Sequence, residues 1–328
     1  MGKVAHMRSD LGRNERQLLL DTPTGALAGT LTVPTTETEH VGLIISGSGP
    51  TDRDGNSAAL PGRNDSLRLL ADGLASTGVA TLRADKRGVG ESVATPEQDL
   101  RLETYVHDAL AWLDHLKGEA GFRRFSIIGH SEGSLVGMLV ADSFPAEAFI
   151  SLEGAGRTAQ ETLIRQLRPQ LSETQMNDVE EVVDRLAAAE TMDPLPEQIA
   201  AVPTLASMFR SEVQPYLISW FTYDPADVLA RLEIPILIVQ GTSDLQVERT
   251  DAERLVAANH RSRLAEIDDM NHVLKTAPSD PRANLATYSN PDLPLAPSLV
   301  PAITRFLTKV GLMPATASDQ LEKGPRSW

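Results

Sequence analysis

The chain contains no cysteine. That absence excludes disulfides, thiol nucleophiles and cysteine-ligated zinc, and leaves the redox compartment open. Histidine is also scarce: seven in 328 residues, none in HExxH spacing, so a catalytic metal is not expected. Positive charge is short, with 30 Lys and Arg against 45 Asp and Glu and a net charge of −15. An acidic surface disfavours nucleic acid and anionic membrane, and no basic, aromatic-studded patch offsets it. Nor does any apolar run approach the roughly 20 residues that span a bilayer, and residues 1–17 carry no signal-peptide core. The expected location is therefore cytoplasmic, although the opening MGKVAHM also reads as an added leader before Met7, behind which a removed export signal would be invisible. What is present, 41% hydrophobic and 23% charged residues, suffices for a large core in one elaborated domain or two modest ones.

The most informative segment is RFSIIGHSEGSLVG, residues 124–137. A short apolar run of strand character breaks into Gly129-His130-Ser131-Glu132-Gly133 and resumes as an amphipathic, helix-like stretch. This is the pattern of a nucleophile elbow, in which a serine sits on a sharp strand-to-helix turn and glycines permit close backbone approach. The five-residue pattern is common by chance; its flanks carry the argument. Ser131 is thus the candidate nucleophile, and a serine hydroxyl needs a general base, an orienting carboxylate and oxyanion donors.

Elimination among the histidines selects the base. His6 lies in the polar N-terminal stretch, and His40 precedes the apolar run 41–45. His107 and His115 fall two turns apart on the helix-like segment 102–116, His130 is inside the elbow, and His260 ends a helical stretch where a cation is ordinary. His272 follows a strand at 263–267 within the polar loop Asp268-Asp269-Met270-Asn271-His272, late in the chain, where a Ser, Asp, His order expects the base. The run IPILIVQ, 234–240, reads as a strand buried on both faces, and Gly241-Thr242-Ser243-Asp244 follows it. Asp244 is the candidate acid, with an Asx turn or helix cap as its ordinary alternative and Asp268 and Asp269 as fallback acids. For the oxyanion, the Glu132 amide follows the nucleophile, and the glycine-rich loop Ser46-Gly47-Ser48-Gly49-Pro50 offers the Ser48 amide. No phosphate-loop lysine pattern follows that loop, which argues against nucleotide. Two charged clusters, Asp52-Arg53-Asp54 and Asp85-Lys86-Arg87, read as loop-shaping ion pairs, with Arg53 the one whose fork suits a carboxylate.

Strand and helix signals alternate between residues 41 and 152, after a hairpin at 17–21 and 26–33, and predict a mostly parallel sheet with crossover helices. From 157 to 228 the pattern is helical only, with Leu163, Leu167 and Leu171 and then Met176, Val179, Val183 and Leu186 at three- to four-residue spacing. The expected organisation is an α/β core, 1–156 and 229–312, interrupted by a helical cap, 157–228, and followed by a flexible tail, 313–328. Met192, Met208, Phe209, Trp220, Phe221 and Tyr223 are candidates to line a substrate pocket under that cap, or to pack its helices.

Four islands, ISGSGPTDRDGN, DKRGVGES, GHSEG and VQGTSDLQV with MNHVLK, resemble bacterial α/β-hydrolase-fold carboxylesterases across about residues 41–275. The resemblance implies the α/β-hydrolase fold and ester hydrolysis through Ser131, Asp244 and His272 without a cofactor. The segment SWFTYDPADVLARL, 219–232, is similar to that family's return from cap to core. A small, short- to medium-chain ester is the expected partner, to a monomer or homodimer. A thioesterase, peptidase or acyltransferase, or a low-turnover ligand receptor, would use the same framework.

Overall fold

A computed structural model describes residues 7–10, 13–118 and 121–314. The tail beyond 314 and His6 therefore lie outside the described residues. Strands β1 (Met7–Asp10), β2 (Arg13–Thr22) and β3 (Gly25–Val33) form an antiparallel ribbon that extends the expected hairpin by a strand. The chain then alternates: β4 (His40–Ile45), α1 (Ser66–Ser76), β5 (Ala80–Ala84), α2 (Leu102–Gly118), β6 (Arg124–His130), α3 (Glu132–Ser143) and β7 (Ala148–Leu152). Five short helices follow, α4 (Ala159–Leu167), α5 (Glu173–Ala187), α6 (Glu197–Ala200), α7 (Pro203–Phe209) and α8 (Gln214–Phe221). Alternation resumes with α9 (Pro225–Ala230), β8 (Ile236–Gly241), α10 (Arg249–Ala258) and β9 (Ser262–Ile267), and the fold closes with α11 (Pro281–Ala286) and α12 (Leu299–Lys309).

The nine strands among the described residues share one sheet in the order β1-β2-β3-β5-β4-β6-β7-β8-β9. From β5 to β9 every pairing is parallel, with β3 joined antiparallel to β5. The central strands are nearly continuous apolar runs because both faces are covered. Leu43, Ile127, Phe149 and Ile238 point to the face carrying α2, α3, α9 and α10, whereas Ile44, Ile128, Ile150 and Val239 point to the face carrying α1 and α12. The period-2 alternation of the strand thus divides one run of sequence between two cores. Helix α12 was not foreseen from sequence; its Leu299, Ile303, Phe306 and Leu307 supply the second core.

The helices between β7 and β8 have a core of their own, built from Met176, Val179, Val183, Leu186, Ile199, Leu205, Phe209 and Leu217. Two starts are set by reciprocal capping boxes, Thr158 with Glu161 and Ser172 with Gln175. Gln214, fully buried, accepts from the Met192 amide at 2.8 Å and donates to the Met192 and Phe209 carbonyls at 2.7 and 2.8 Å, joining the loop before α6 to α7 and α8. Hydrogen bonds tie the block to α2: the Leu102 amide donates to Ser219 Oγ at 2.8 Å, and Tyr223 Oη donates to Glu103 at 2.6 Å.

Candidate active site

Ser131 links β6 to α3 in a backbone conformation of φ 55° and ψ −124°. L-residues rarely adopt positive φ, so the surroundings must enforce it. The flanking glycines explain how the turn is kept tight. A Cβ on Gly129 would lie 2.2 Å from the Gly133 carbonyl oxygen, and one on Gly133 would lie 2.4 Å from that of Ile45. Neither position accepts a larger residue without moving backbone.

His272 reaches the site from the loop after β9. Its Nε2 lies 3.0 Å from Ser131 Oγ and its Nδ1 2.7 Å from Asp244 Oδ2, so the three residues selected from sequence meet in one chain of hydrogen bonds. Asp244 sits beyond the end of β8 with its carboxylate fully covered. Its other oxygen accepts from the Gln246 and Val247 amides at 2.7 and 3.1 Å. Burial alone would raise this carboxyl, but the attraction of His272 and hydrogen bonds from His272 and the Gln246 amide outweigh it and hold Asp244 below the usual range. Asp268 and Asp269, the fallback acids, are exposed and leave the imidazole to Asp244.

His130 does turn away from Ser131. Its Nε2 donates to the His272 carbonyl at 2.7 Å, and its ring lies 5.1 Å from the His272 ring. Burial first, and repulsion from His272 second, lower its pKa to about 4, so near neutral pH it is uncharged and its donated hydrogen bond holds the His272 backbone. The elbow histidine props the His272 backbone.

Glu153 was overlooked in the sequence. It follows β7 directly with φ 50°, is fully buried, and accepts from the Gly241 amide at 2.8 Å. Burial first, and then the nearby charge of Asp244, push Glu153 well above the carboxylate range, while its other carboxyl oxygen is buried without a hydrogen-bond partner. The sequence did hold a signal: an acidic residue at the carboxyl end of a mostly apolar strand stands where sheet-borne sites assemble.

Ser48 and Glu132 flank the serine. Glu132 opens α3, where the amide has no intrahelical acceptor, and among the described residues the Ser48 amide makes no hydrogen bond. A Cβ on Gly47 would lie 3.1 Å from Ser131 Cβ, which puts the Ser46-to-Pro50 loop against Ser131 at Gly47. The charged clusters shape loops, as expected. Arg53 is buried, donating to Asp85 at 2.5 Å and Glu91 at 2.6 Å, and Arg83 pairs with Asp54 and Glu15. Among the described residues no cluster of histidine and acidic side chains could hold a metal, and no helix is long and apolar enough to cross a membrane.

The six pocket candidates separate. Met192, Phe209 and Phe221 are buried within the core of the helical block, with Met208 packed against it, so packing claims them. Trp220 is partly exposed and touches both that core and the sheet's core, while Tyr223 packs on the sheet's core alone.

Residues 44–286 match the model of the alpha/beta hydrolase family. The chain is similar to esterase EstD of Thermotoga maritima, with 26% identity over 259 residues that cover 77% of this chain and 59% of that protein. It thus spans about three fifths of that relative's length. Its fold is similar to Est1E of Butyrivibrio proteoclasticus, solved with ferulic acid bound, at a TM-score of 0.58 and 20% identity over 89% of this chain and 98% of that one. Proline iminopeptidase of Mycobacterium smegmatis is similar at a TM-score of 0.55 and 13% identity over 90% and 98%. These structural likenesses speak for the fold, and one fold carries both ester and peptide chemistry. The family match runs from within β4 to beyond His272, and the chain belongs to the alpha/beta hydrolase family.

Proposed function

We propose that this protein is a serine carboxylesterase acting on small carboxylic esters of short to medium acyl chain, with Ser131 as nucleophile, His272 as general base and acid, and Asp244 as its orienting carboxylate. The single observation that carries the reading is His272, bonded to Ser131 Oγ at 3.0 Å through one nitrogen and to Asp244 at 2.7 Å through the other. That arrangement fixes the tautomer: Nδ1 donates to Asp244, leaving Nε2 with a lone pair toward the hydroxyl. His272 takes the serine proton as Oγ attacks the ester carbonyl, and the Ser48 and Glu132 amides receive the developing oxyanion. Collapse of the tetrahedral intermediate breaks the carbon–oxygen bond to the alcohol, which leaves with the proton held on His272. Water, deprotonated by the same imidazole, then attacks the acyl-serine and releases the acid. The resemblance to an esterase supports the choice of ester over amide.

The helices of residues 157–228 act in this reading as a cap, and Trp220, at the seam between the two cores, is the candidate to meet the acyl group. The test is hydrolysis of p-nitrophenyl esters from acetate to decanoate, wild type beside Ser131→Ala. Saturable turnover that peaks at short or medium chains and falls on the order of 10⁴- to 10⁶-fold in a folded Ser131→Ala is expected. Equal rates in the two proteins would falsify the assignment. Cleavage of matched amides as fast as esters would replace an esterase by a peptidase.

A further inference from the structure

Beside the elbow lies a buried ion pair that the hydrolytic scheme does not use. Lys86 Nζ is 2.9 Å from Glu132 Oε1, with the two side chains only 7% and 1% exposed. The same ammonium donates to the Gly47 carbonyl at 2.6 Å and lies 4.9 Å from the centre of the Tyr105 ring. The far oxygen of Glu132 and the hydroxyl of Tyr216 are both buried without a close hydrogen-bond partner, and they belong to one electrostatic cluster. Tyr216 comes from α8 of the helical block and meets the Tyr105 ring edge-on at 5.8 Å. Burial and then the Glu132 charge push the Tyr216 hydroxyl well above its ordinary range, which keeps it protonated.

A buried ion pair contributes little net stability, because desolvation offsets most of the attraction. Orientation is the quantity this one can supply. In a trans peptide the carbonyl and the following N–H point in opposite directions. With its oxygen held on Lys86 in the interior, the Gly47–Ser48 peptide must turn the Ser48 N–H away from Lys86, and the Gly47 α-carbon already lies against Ser131. Glu132, which anchors Lys86 through its side chain, offers the other oxyanion amide through its backbone. One ion pair therefore touches both segments that would bind the oxyanion.

We propose that Lys86 is a positioning residue that, braced by Glu132, holds the Gly47–Ser48 peptide with its N–H turned toward the oxyanion, and that Tyr105 and Tyr216 seal this brace under the helical block. The inference rests on the esterase reading above. It assigns Lys86 no contact with substrate, so its effect falls on transition-state binding rather than on substrate binding.

The experiment compares wild type, Lys86→Met and the double variant Lys86→Met/Glu132→Met. The double variant removes both charges together, so that no orphaned buried carboxylate drives unfolding. With p-nitrophenyl acetate, both variants are expected to lose about 10- to 1,000-fold in kcat with KM changed less than about threefold, the scale of one lost or misaimed oxyanion donor. A trifluoromethyl ketone, which forms a tetrahedral adduct on serine, should weaken by the same factor as kcat. A folded double variant with wild-type kcat, or a loss shared equally by KM, would overturn the role of Lys86. Fluorophosphonate labelling of wild type separates the two claims. No labelling of Ser131 sinks the esterase reading itself, whereas normal labelling of wild type with undiminished kcat in the variants sinks only the brace.

Discussion

The carboxyl ends of β6, β8 and β9 and the helical block between β7 and β8 constrain their side chains very differently. At a strand end the direction of the next residue is set by the pleat and by pairing with the neighbouring strands, so Ser131, Asp244 and His272 converge although up to 141 residues separate them. In the helical block each side chain faces inward or outward according to how five short helices happen to cross. Met192, Phe209 and Phe221 went to the block's own core, and Trp220 stayed at the seam. Parallel sheets thus specify a site locally, whereas small helical bundles specify only their own packing.

The sharpest way to break this comparison is Asp244→Asn. If the sheet end alone sets the base, the amide would present the wrong hydrogen-bonding face to Nδ1 and kcat should fall on the order of 10⁴-fold without loss of fold. A fall of less than tenfold in steady-state hydrolysis would mean that another carboxylate, with buried Glu153 the nearest candidate, takes over. The block is tested by Phe209→Ala, which should cost about 3–5 kcal/mol in chemical denaturation. The acyl-chain profile of the surviving enzyme should be unchanged, because Phe209 is interior; a shifted profile would return it to the pocket. Trp220→Ala is the contrasting substitution, expected to move the chain-length optimum.

A third test concerns the opposite end of the sheet. Burial, and then the charge of Arg124, lower His40 to about 4, and its Nε2 bonds Ser126 Oγ at 2.9 Å. The unfolded chain binds a proton near pH 6.5 that the folded chain refuses until about 4, so this contribution is whole above 6.5 and fades as pH falls through that window. The loss is about 2 kcal/mol at pH 5. Thermal melts should therefore show a smaller drop in Tm from pH 7 to 5 for His40→Gln than for wild type; equal drops would remove His40 from the account. Least of all should Arg168→Ala matter. Its pairing with Glu180 on the block's surface is exposed, and the change in unfolding free energy should stay within about 0.5 kcal/mol.

The limits of reading the chain as sequence follow the same division. Strands, their order of use and the Ser, Asp, His set were legible because periodicity and strand ends are local properties. Lys86 read as a loop-shaping charge, and so it is, but the loop it shapes is 39 residues away and borders the serine. That relation depends on β4 and β5 lying side by side, a long-range fact. Glu153 was passed over because its importance lies in Asp244, 91 positions later and one strand across. Helix α12 escaped because its pattern lies after the last site segment, where nothing but packing calls for a helix.

The chain order of the site also has a consequence in time. During synthesis at roughly 5–20 residues per second, Ser131 leaves the ribosome on the order of ten seconds before His272, which lies 141 residues later. By then β4, β6 and the elbow glycines can already be packed. On the proposed mechanism the nascent protein carries a shaped but unreactive serine throughout that interval. β8 can join β7 only after the whole helical excursion has been made. Hydrolytic competence would therefore arrive abruptly with the last strand and its loop, and a folded but incomplete chain would be inert toward cellular esters.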